Sequence, residues 1–96
     1  MKHPAQRVSS EVLQKLWRDR NCAARLGDLR LECVYEAPPA AISNQPPGTL
    51  SQVFKCYDGA EVVMVVHRYL LPDGRIGASG QFDPKMLLID GIVYYK

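Results

Sequence analysis

The densest group of chemically versatile side chains lies in the segment 67–85, H-R-Y-L-L-P-D-G-R-I-G-A-S-G-Q-F-D-P-K. Its candidate binding residues are His67, Arg68, Asp73, Arg75, Ser79, Asp83 and Lys85. Three glycines recur at three-residue spacing, which matches neither the dinucleotide-binding nor the P-loop pattern. Glycine-rich backbone can nevertheless present several N–H groups to one anion. We therefore predict a small-ligand or anion site near the loop 72–85, with a plain hairpin turn and irregular loop as the alternative.

His67 is the candidate for acid–base chemistry. It shares one face of a predicted strand with Tyr69, whereas Arg68 points to the other face. A histidine beside carboxylates and cations can act as a general acid or base, as in metal-independent ribonucleases. Its partner would come from the charged residues nearby, which are Asp73, Asp83 and Lys85. A histidine held only by a sheet hydrogen bond is the alternative, because no G-x-S-x-G sequence surrounds Ser79 and no complete catalytic constellation is present.

The cysteines and histidines predict neither a disulfide framework nor a metal site. Cys22, Cys33 and Cys56 are odd in number and form no C-x-x-C pair. A zinc site needs about four converging ligands, and His3 and His67 are far apart in the sequence. We expect reduced thiols, a cytoplasmic location, no metal and no cofactor.

No segment of the sequence predicts export or a membrane partner. The first residues lead into no apolar stretch of the kind that a secretory signal has. The longest apolar runs have about five residues, far fewer than the roughly 20 that span a bilayer.

The net charge of +2 is unevenly distributed along the chain. Residues 1–30 contain seven basic and three acidic residues, whereas residues 31–96 contain five basic and seven acidic residues. A solvated helix face explains such a basic segment, and a phosphate-binding surface is the alternative. The alternative would make the protein a nucleic-acid-binding protein whose affinity weakens with salt.

The N-terminal third predicts a flexible arm over residues 1–8 and then one amphipathic helix ending at Leu26. Ser9 and Ser10 are suitable N-caps, and Gly27 is a suitable stop. The apolar residues at helical spacing are Val12, Leu13, Leu16, Trp17, Ala23 and Ala24. Arg20 interrupts this apolar arc. In one interpretation its aliphatic stem lies on the core and its charged end reaches water. In the other its guanidinium meets a buried carboxylate or a bound anion, which makes Arg20 a further candidate binding residue of the predicted anion site.

The remaining chain predicts a sheet. Alternating or continuous apolar residues indicate strands at 29–36, 50–57, 61–71, 75–79, 86–89 and 92–95. Asp58-Gly59 and Asp90-Gly91 are hairpin turn signals, and Asp83-Pro84 is a suitable start for one helical turn. Residues 37–49 contain four prolines and predict a long loop.

The apolar run Val62–Val66 predicts assembly, because a strand with five apolar residues in a row is apolar on both faces. One helix covers only one face of a sheet. The other face must then be covered, either because the sheet curls into a half-barrel or because a second copy of the chain packs on it. The strand 92–95 is also apolar on both faces and can add to this assembly by pairing edge to edge. We predict a single α+β domain over residues 9–96, with the helix packed on a curved antiparallel sheet of four to five strands. The predicted assembly is a homodimer, and a subunit of a larger complex is the alternative.

The segment from His67 onward also carries a resemblance. Its sequences P-D-G-R-I-G-A-S-G-Q-F-D-P-K and D-G-I-V-Y-Y are similar to a pattern in short uncharacterised bacterial proteins, including proteins of integron gene cassettes. The resemblance covers about the last third of the chain and implies a bacterial origin, without an activity. The predicted function is a homodimeric binding or assembly module with a ligand or anion site. The alternative is a nucleic-acid-binding protein or a small metal-independent ribonuclease.

Overall fold

The structure, a computed structural model, describes residues 3–77 and 80–96. It has the α+β character that the sequence predicts, with two short helices and an antiparallel-rich sheet. The elements are β1 (Ala5–Arg7), α1 (Ser10–Asp19), α2 (Cys22–Arg25), β2 (Arg30–Ala37), β3 (Leu50–Asp58), β4 (Glu61–Leu70), β5 (Asp83–Ile89) and β6 (Ile92–Tyr95). The sheet therefore has six strands rather than four or five.

The sheet is open, with the strand order β1-β6-β5-β4-β3-β2. All neighbouring strands are antiparallel except β1 and β6, which are parallel. The sequence predicts a flexible arm over residues 1–8, and the structure instead pairs Ala5–Arg7 with β6. The Val8 N–H donates to the Tyr95 carbonyl at 2.7 Å, and the Val93 N–H donates to the Pro4 carbonyl at 2.9 Å. Backbone pairing with the free β6 edge does not require an apolar side-chain pattern, so apolar periodicity does not predict this strand.

The predicted long helix is divided in two. The Ser9 hydroxyl accepts a hydrogen bond from the Val12 N–H at 3.2 Å, which is the expected N-cap. Asn21 then adopts a left-handed backbone with φ of 50°, which ends α1 before α2 begins. Asparagine tolerates this conformation better than most residues, so a polar residue inside an apolar periodicity is the local cause of the break. The break brings Cys22 into the core.

Both predicted hairpins form, with Asp90-Gly91 as the second loop and Gly59-Ala60 as the first, because Asp58 pairs with Glu61. The start of β5 differs. Asp83-Pro84 begins a strand rather than a helical turn. Pro84 is buried and faces Val66 across a register shift in the β4–β5 ladder, and such an irregularity tolerates a residue without an N–H. Of the predicted strand at 75–79, only an isolated bridge between Leu70 and Ile76 is present in the described residues.

The core lies on one face of the sheet, which we call the covered face because α1 and α2 pack on it. Its buried apolar side chains are Leu13, Trp17, Cys22, Cys56, Val63, Met64, Val66, Leu87 and Ile89. Within the described residues, no helix is long and apolar enough to cross a membrane.

The opposite side of the sheet, which we call the open face, has no helix on it in the described part of the chain. Cross-strand pairing aligns Lys55, Val65, Met86 and Tyr95 in one row across β3 to β6. Val65 lies between the fully buried Met64 and Val66, so its side chain points away from the core. Within the described residues, the two short helices therefore cover one face only.

Candidate functional site

One end of the sheet collects polar side chains from five elements. At this end β4 and β6 finish and β3 and β5 begin. β1 also ends here, and the first turn of α1 follows it directly. This topology places His67, Asp83, Lys85 and Lys96 next to one another, and we call these four residues the basic cluster.

Asp83 is the centre of the basic cluster. The Gln14 side-chain amide donates a hydrogen bond to Asp83 Oδ1 at 2.5 Å. The other oxygen, Oδ2, lies 3.7 Å from Lys85 Nζ and 3.8 Å from Lys96 Nζ. A charge-assisted hydrogen bond between such groups has a length of about 2.7–2.9 Å, so neither lysine is in close contact with the carboxylate. The two ammonium groups share one negative charge at a distance.

His67 lies at the inner edge of the basic cluster. Its Nε2 is 2.8 Å from the Ser51 hydroxyl, and its ring meets the Tyr69 ring edge-on with centroids 4.7 Å apart. Burial lowers the pKa of His67 below its ordinary value of 6.5, and Lys85 and Lys96 lower it further against the opposing effect of Asp83. His67 is therefore a neutral ring at neutral pH, held by a hydrogen bond within the sheet.

Lys96 is the cation that the sequence analysis missed. Its Nζ donates to the Ser10 hydroxyl at 3.3 Å. Burial lowers the pKa of Lys96, and the neighbouring Lys85 lowers it further, because two ammonium groups repel each other. The register of the Asp90-Gly91 hairpin contains the signal: Met86 faces Tyr95, so the next residues outward on both strands are Lys85 and Lys96.

Two further neighbours were missed for a different reason. Gln14 belongs to the helix and Ser51 to the beginning of β3, far from the segment 67–85 in sequence. Only the packing of α1 on β5 and the β3–β4 register, which shifts at a bulge, bring them to the cluster. The position of Tyr69 beside His67, by contrast, is as the strand periodicity predicts.

Arg20 does not join this site. Its guanidinium pairs with Asp90 at 2.8 Å, and both side chains are exposed. Asp90 lies in the turn at the far end of β5 from Asp83, roughly 23 Å away at about 3.3 Å per residue. The partner of Arg20 is thus an exposed carboxylate at the opposite end of the sheet, not a buried one.

Arg68 is also separate, because it lies on the covered side of the sheet. Its Nε donates to Gln52 at 2.8 Å, and the guanidinium carbon lies 5.0 Å from the centre of the Phe54 ring and 5.3 Å from that of Phe82. Gln52 in turn donates to Glu36. This network satisfies a buried amide and closes the end of the core beyond the helices.

The remaining candidates lie in the loop between β4 and β5. Arg75 donates to Asp73 from its backbone N–H at 3.0 Å and from its side chain at 2.7 Å. These hydrogen bonds lower the pKa of Asp73. The pair stabilises an exposed turn and does not contact the basic cluster. Ser79 lies outside the described residues. Of the members of the predicted set that the structure describes, it brings together only His67, Asp83 and Lys85.

The open face carries a second feature. Three half-buried valines, one half-buried methionine and one exposed tyrosine form the open-face patch, which comprises Val53, Val65, Met86, Val93 and Tyr95. None of them belongs to the core cluster. Tyr95 is 39% exposed, and Tyr35 on the neighbouring edge strand is 54% exposed. The patch reaches the basic cluster at one end of the sheet.

Neither a metal site nor a family assignment emerges. Among residues 3–77 and 80–96, no three His, Cys, Asp or Glu side chains are grouped as metal ligands.

A cavity of about 240 Å³ is lined by Trp17, Arg18, Asn21, Ala23 and Gln81, none of which is in the predicted set. Comparisons with protein-family models, with curated proteins and with solved structures gave no match.

Proposed function

We propose that the protein is a small homodimeric binding module in which a second copy of the chain covers the open-face patch and the basic cluster binds an anion. The observation that carries this proposal is the row Val65, Met86 and Tyr95, which crosses three strands on the face without helices. In a two-fold dimer such a patch packs on itself, because both partners present the same uncharged surface.

The distribution of charge supports a second copy rather than a strongly charged partner. The apolar row occupies β4 to β6, whereas Lys55 and its neighbour Glu32 lie at the β3 and β2 end of the same face. A two-fold axis through β4 to β6 therefore buries apolar side chains and leaves these charges at the rim. Buried interfaces favour this arrangement, because uncompensated charges are costly to desolvate.

The size of the face indicates a weak dimer. The open-face patch spans four strands at about 4.8 Å spacing and about five residues at about 3.3 Å each, a plane of roughly 320 Å². Two partners then bury on the order of 650 Å², which is well below the roughly 1,200–2,000 Å² of most stable interfaces. The association should therefore depend on concentration in the micromolar range.

The setting expected from the sequence belongs to the same proposal: a bacterial protein of the cytoplasm without a membrane partner. The absence of disulfides among Cys22, Cys33 and Cys56 supports a reducing compartment.

Sedimentation velocity of a matched pair of variants tests the dimer. Val65→Lys places a charge in the centre of the open-face patch and should keep the protein monomeric at all concentrations. Val12→Lys makes the same change at a position of α1 that is 44% exposed, and should dimerise as the wild type does. A wild type that remains monomeric at high micromolar concentration, or a Val65→Lys variant that dimerises normally, contradicts the proposal.

Nucleic-acid binding is the second candidate, favoured by the aromatic residues of the same face. Tyr35, Tyr69 and Tyr95 lie on an open sheet whose end carries the basic cluster, and single-stranded RNA stacks on such surfaces. A ribonuclease activity would depend on His67. Binding of a single-stranded RNA by wild type but not by Tyr69→Ala at low salt supports this candidate, and its cleavage by wild type but not by His67→Ala supports the enzyme.

A further inference from the structure

The two lysines of the basic cluster are incompletely neutralised. Within the described part of the chain, Asp83 is the one carboxylate paired with Lys85 or Lys96, and it lies 3.7 and 3.8 Å from their ammonium groups. Its second oxygen is already occupied by Gln14. With His67 neutral, the side chains of the cluster sum to a charge of +1.

The surroundings hold both ammonium groups at the same place. Lys85 belongs to β5, and Lys96 is the residue after β6. The register of the β5–β6 hairpin places their side chains next to each other. The Ser10 hydroxyl accepts from Lys96 and still has a proton to donate. The side chains of Lys85 and Lys96 are 38% and 26% exposed, so a small solute reaches them without displacing the core.

We propose that Lys85 and Lys96 form a phosphate-binding site, with the Ser10 hydroxyl as an additional donor. A phosphate group has several oxygens and up to two negative charges, so one group can accept from both lysines at close distance, which the single distant carboxylate cannot do. This inference rests on the anion site of the proposed function and is independent of the dimer interface.

Asp83 should affect phosphate affinity in the opposite direction to the two lysines. Asp83 holds the lysines in position but also repels an incoming anion. Asp83→Asn removes the negative charge and keeps an oxygen that accepts from Gln14. This change should therefore tighten phosphate binding, whereas loss of either lysine charge weakens it. One unit charge at about 4 Å in water changes an affinity by about fivefold.

The test is a titration with inorganic phosphate at low ionic strength, followed by the backbone amide NMR shifts of Asp83, Lys85 and Lys96. Lys85→Met and Lys96→Met should each weaken binding by about fivefold or more, and Asp83→Asn should tighten it by a similar factor. Lys55→Met removes an exposed lysine of β3 that lies outside the cluster and should leave the affinity unchanged. No saturable shift in the wild type, equal effects of Lys55→Met and Lys85→Met, or no tightening in Asp83→Asn overturns the proposal.

A single-stranded RNA oligonucleotide in a second arm identifies the source of the phosphate. RNA that binds much more tightly than inorganic phosphate, is displaced by it and needs Lys85 indicates a nucleic-acid backbone. RNA that binds no better than inorganic phosphate indicates a small phosphorylated ligand. The monomeric Val65→Lys variant should still bind phosphate, and Lys85→Met should still dimerise. Failure of the site and failure of the dimer are therefore distinguishable.

Discussion

The covered and open faces of the sheet are made by the same strands and differ in what lies on them. Along β4, Met64 and Val66 are fully buried against the helix side, while Val65 between them is only half-buried on the open side. All three residues are apolar. In the described residues the helices cover one face of the sheet, and the half-buried apolar residues of the other face motivate the proposal that a second copy covers it.

Even the covered face is only partly shielded. A helix about 10 Å wide covers about two strands at roughly 4.8 Å spacing, and this sheet has six. Cys33 on the edge strand β2 faces Phe54, on the side of the core, yet it is exposed. The helices therefore protect the centre of the sheet rather than its edge.

Thiol reactivity gives the largest expected contrast. Cys33 should react with a disulfide reagent at the rate of a free thiol. Cys22 and Cys56 are fully buried, and burial raises the pKa of Cys56 to about 11, so both should react only after the core opens. An opening free energy of about 4 kcal/mol makes them roughly 1,000-fold slower. The Cys33→Ser variant should lose the fast phase, and two or more fast thiols in the wild type would show that the covered face is open.

Matched truncations on β4 measure the difference between the faces as stability. Val66→Ala removes two methyl groups from the core and should lower the free energy of unfolding by about 2 kcal/mol. Val65→Ala makes the same change one residue away and should cost less than about 1 kcal/mol in the monomer. Urea unfolding at low protein concentration compares the two, and equal losses would contradict the assignment of the faces.

A smaller effect is expected from His67, whose pKa is lowered mainly by burial in the folded protein. Below about pH 6.5 the unfolded chain takes up this proton more readily than the folded chain, so acidification lowers stability until the folded-state pKa is passed. Urea unfolding at pH values above and below 6.5 should show this slope. The His67→Gln variant, which keeps a polar side chain beside Ser51, should have a shallower slope. Identical slopes in both proteins would remove His67 as the cause.

The sequence predicted those parts of the fold that local patterns determine. The two hairpins form at the predicted turn signals because Gly59 in the first turn, and Asp90 and Gly91 in the second, adopt the positive φ that such turns need. The break at Asn21 and the pairing of β1 were not predicted, because neither follows from apolar periodicity. The first depends on one backbone conformation, and the second on a sheet edge completed by distant residues.

The candidate site was predicted only where it is continuous in sequence. His67, Asp83 and Lys85 come together, but Arg20 and Arg68 were assigned to the same site although they lie at the other end and on the other face. Strand alternation already separates Arg68 from His67. The position of Arg20 depends on the direction in which α1 crosses the sheet, which only the packing determines.

The most direct test of the account is methyl NMR of the wild-type protein over a range of concentrations. The account predicts that Val53, Val65, Met86 and Val93 shift progressively from low to high micromolar concentration, while Met64, Val66 and Leu87 stay constant. Spectra that do not change with concentration, or shifts confined to residues outside the open-face patch, would contradict the claim that a second copy covers this face.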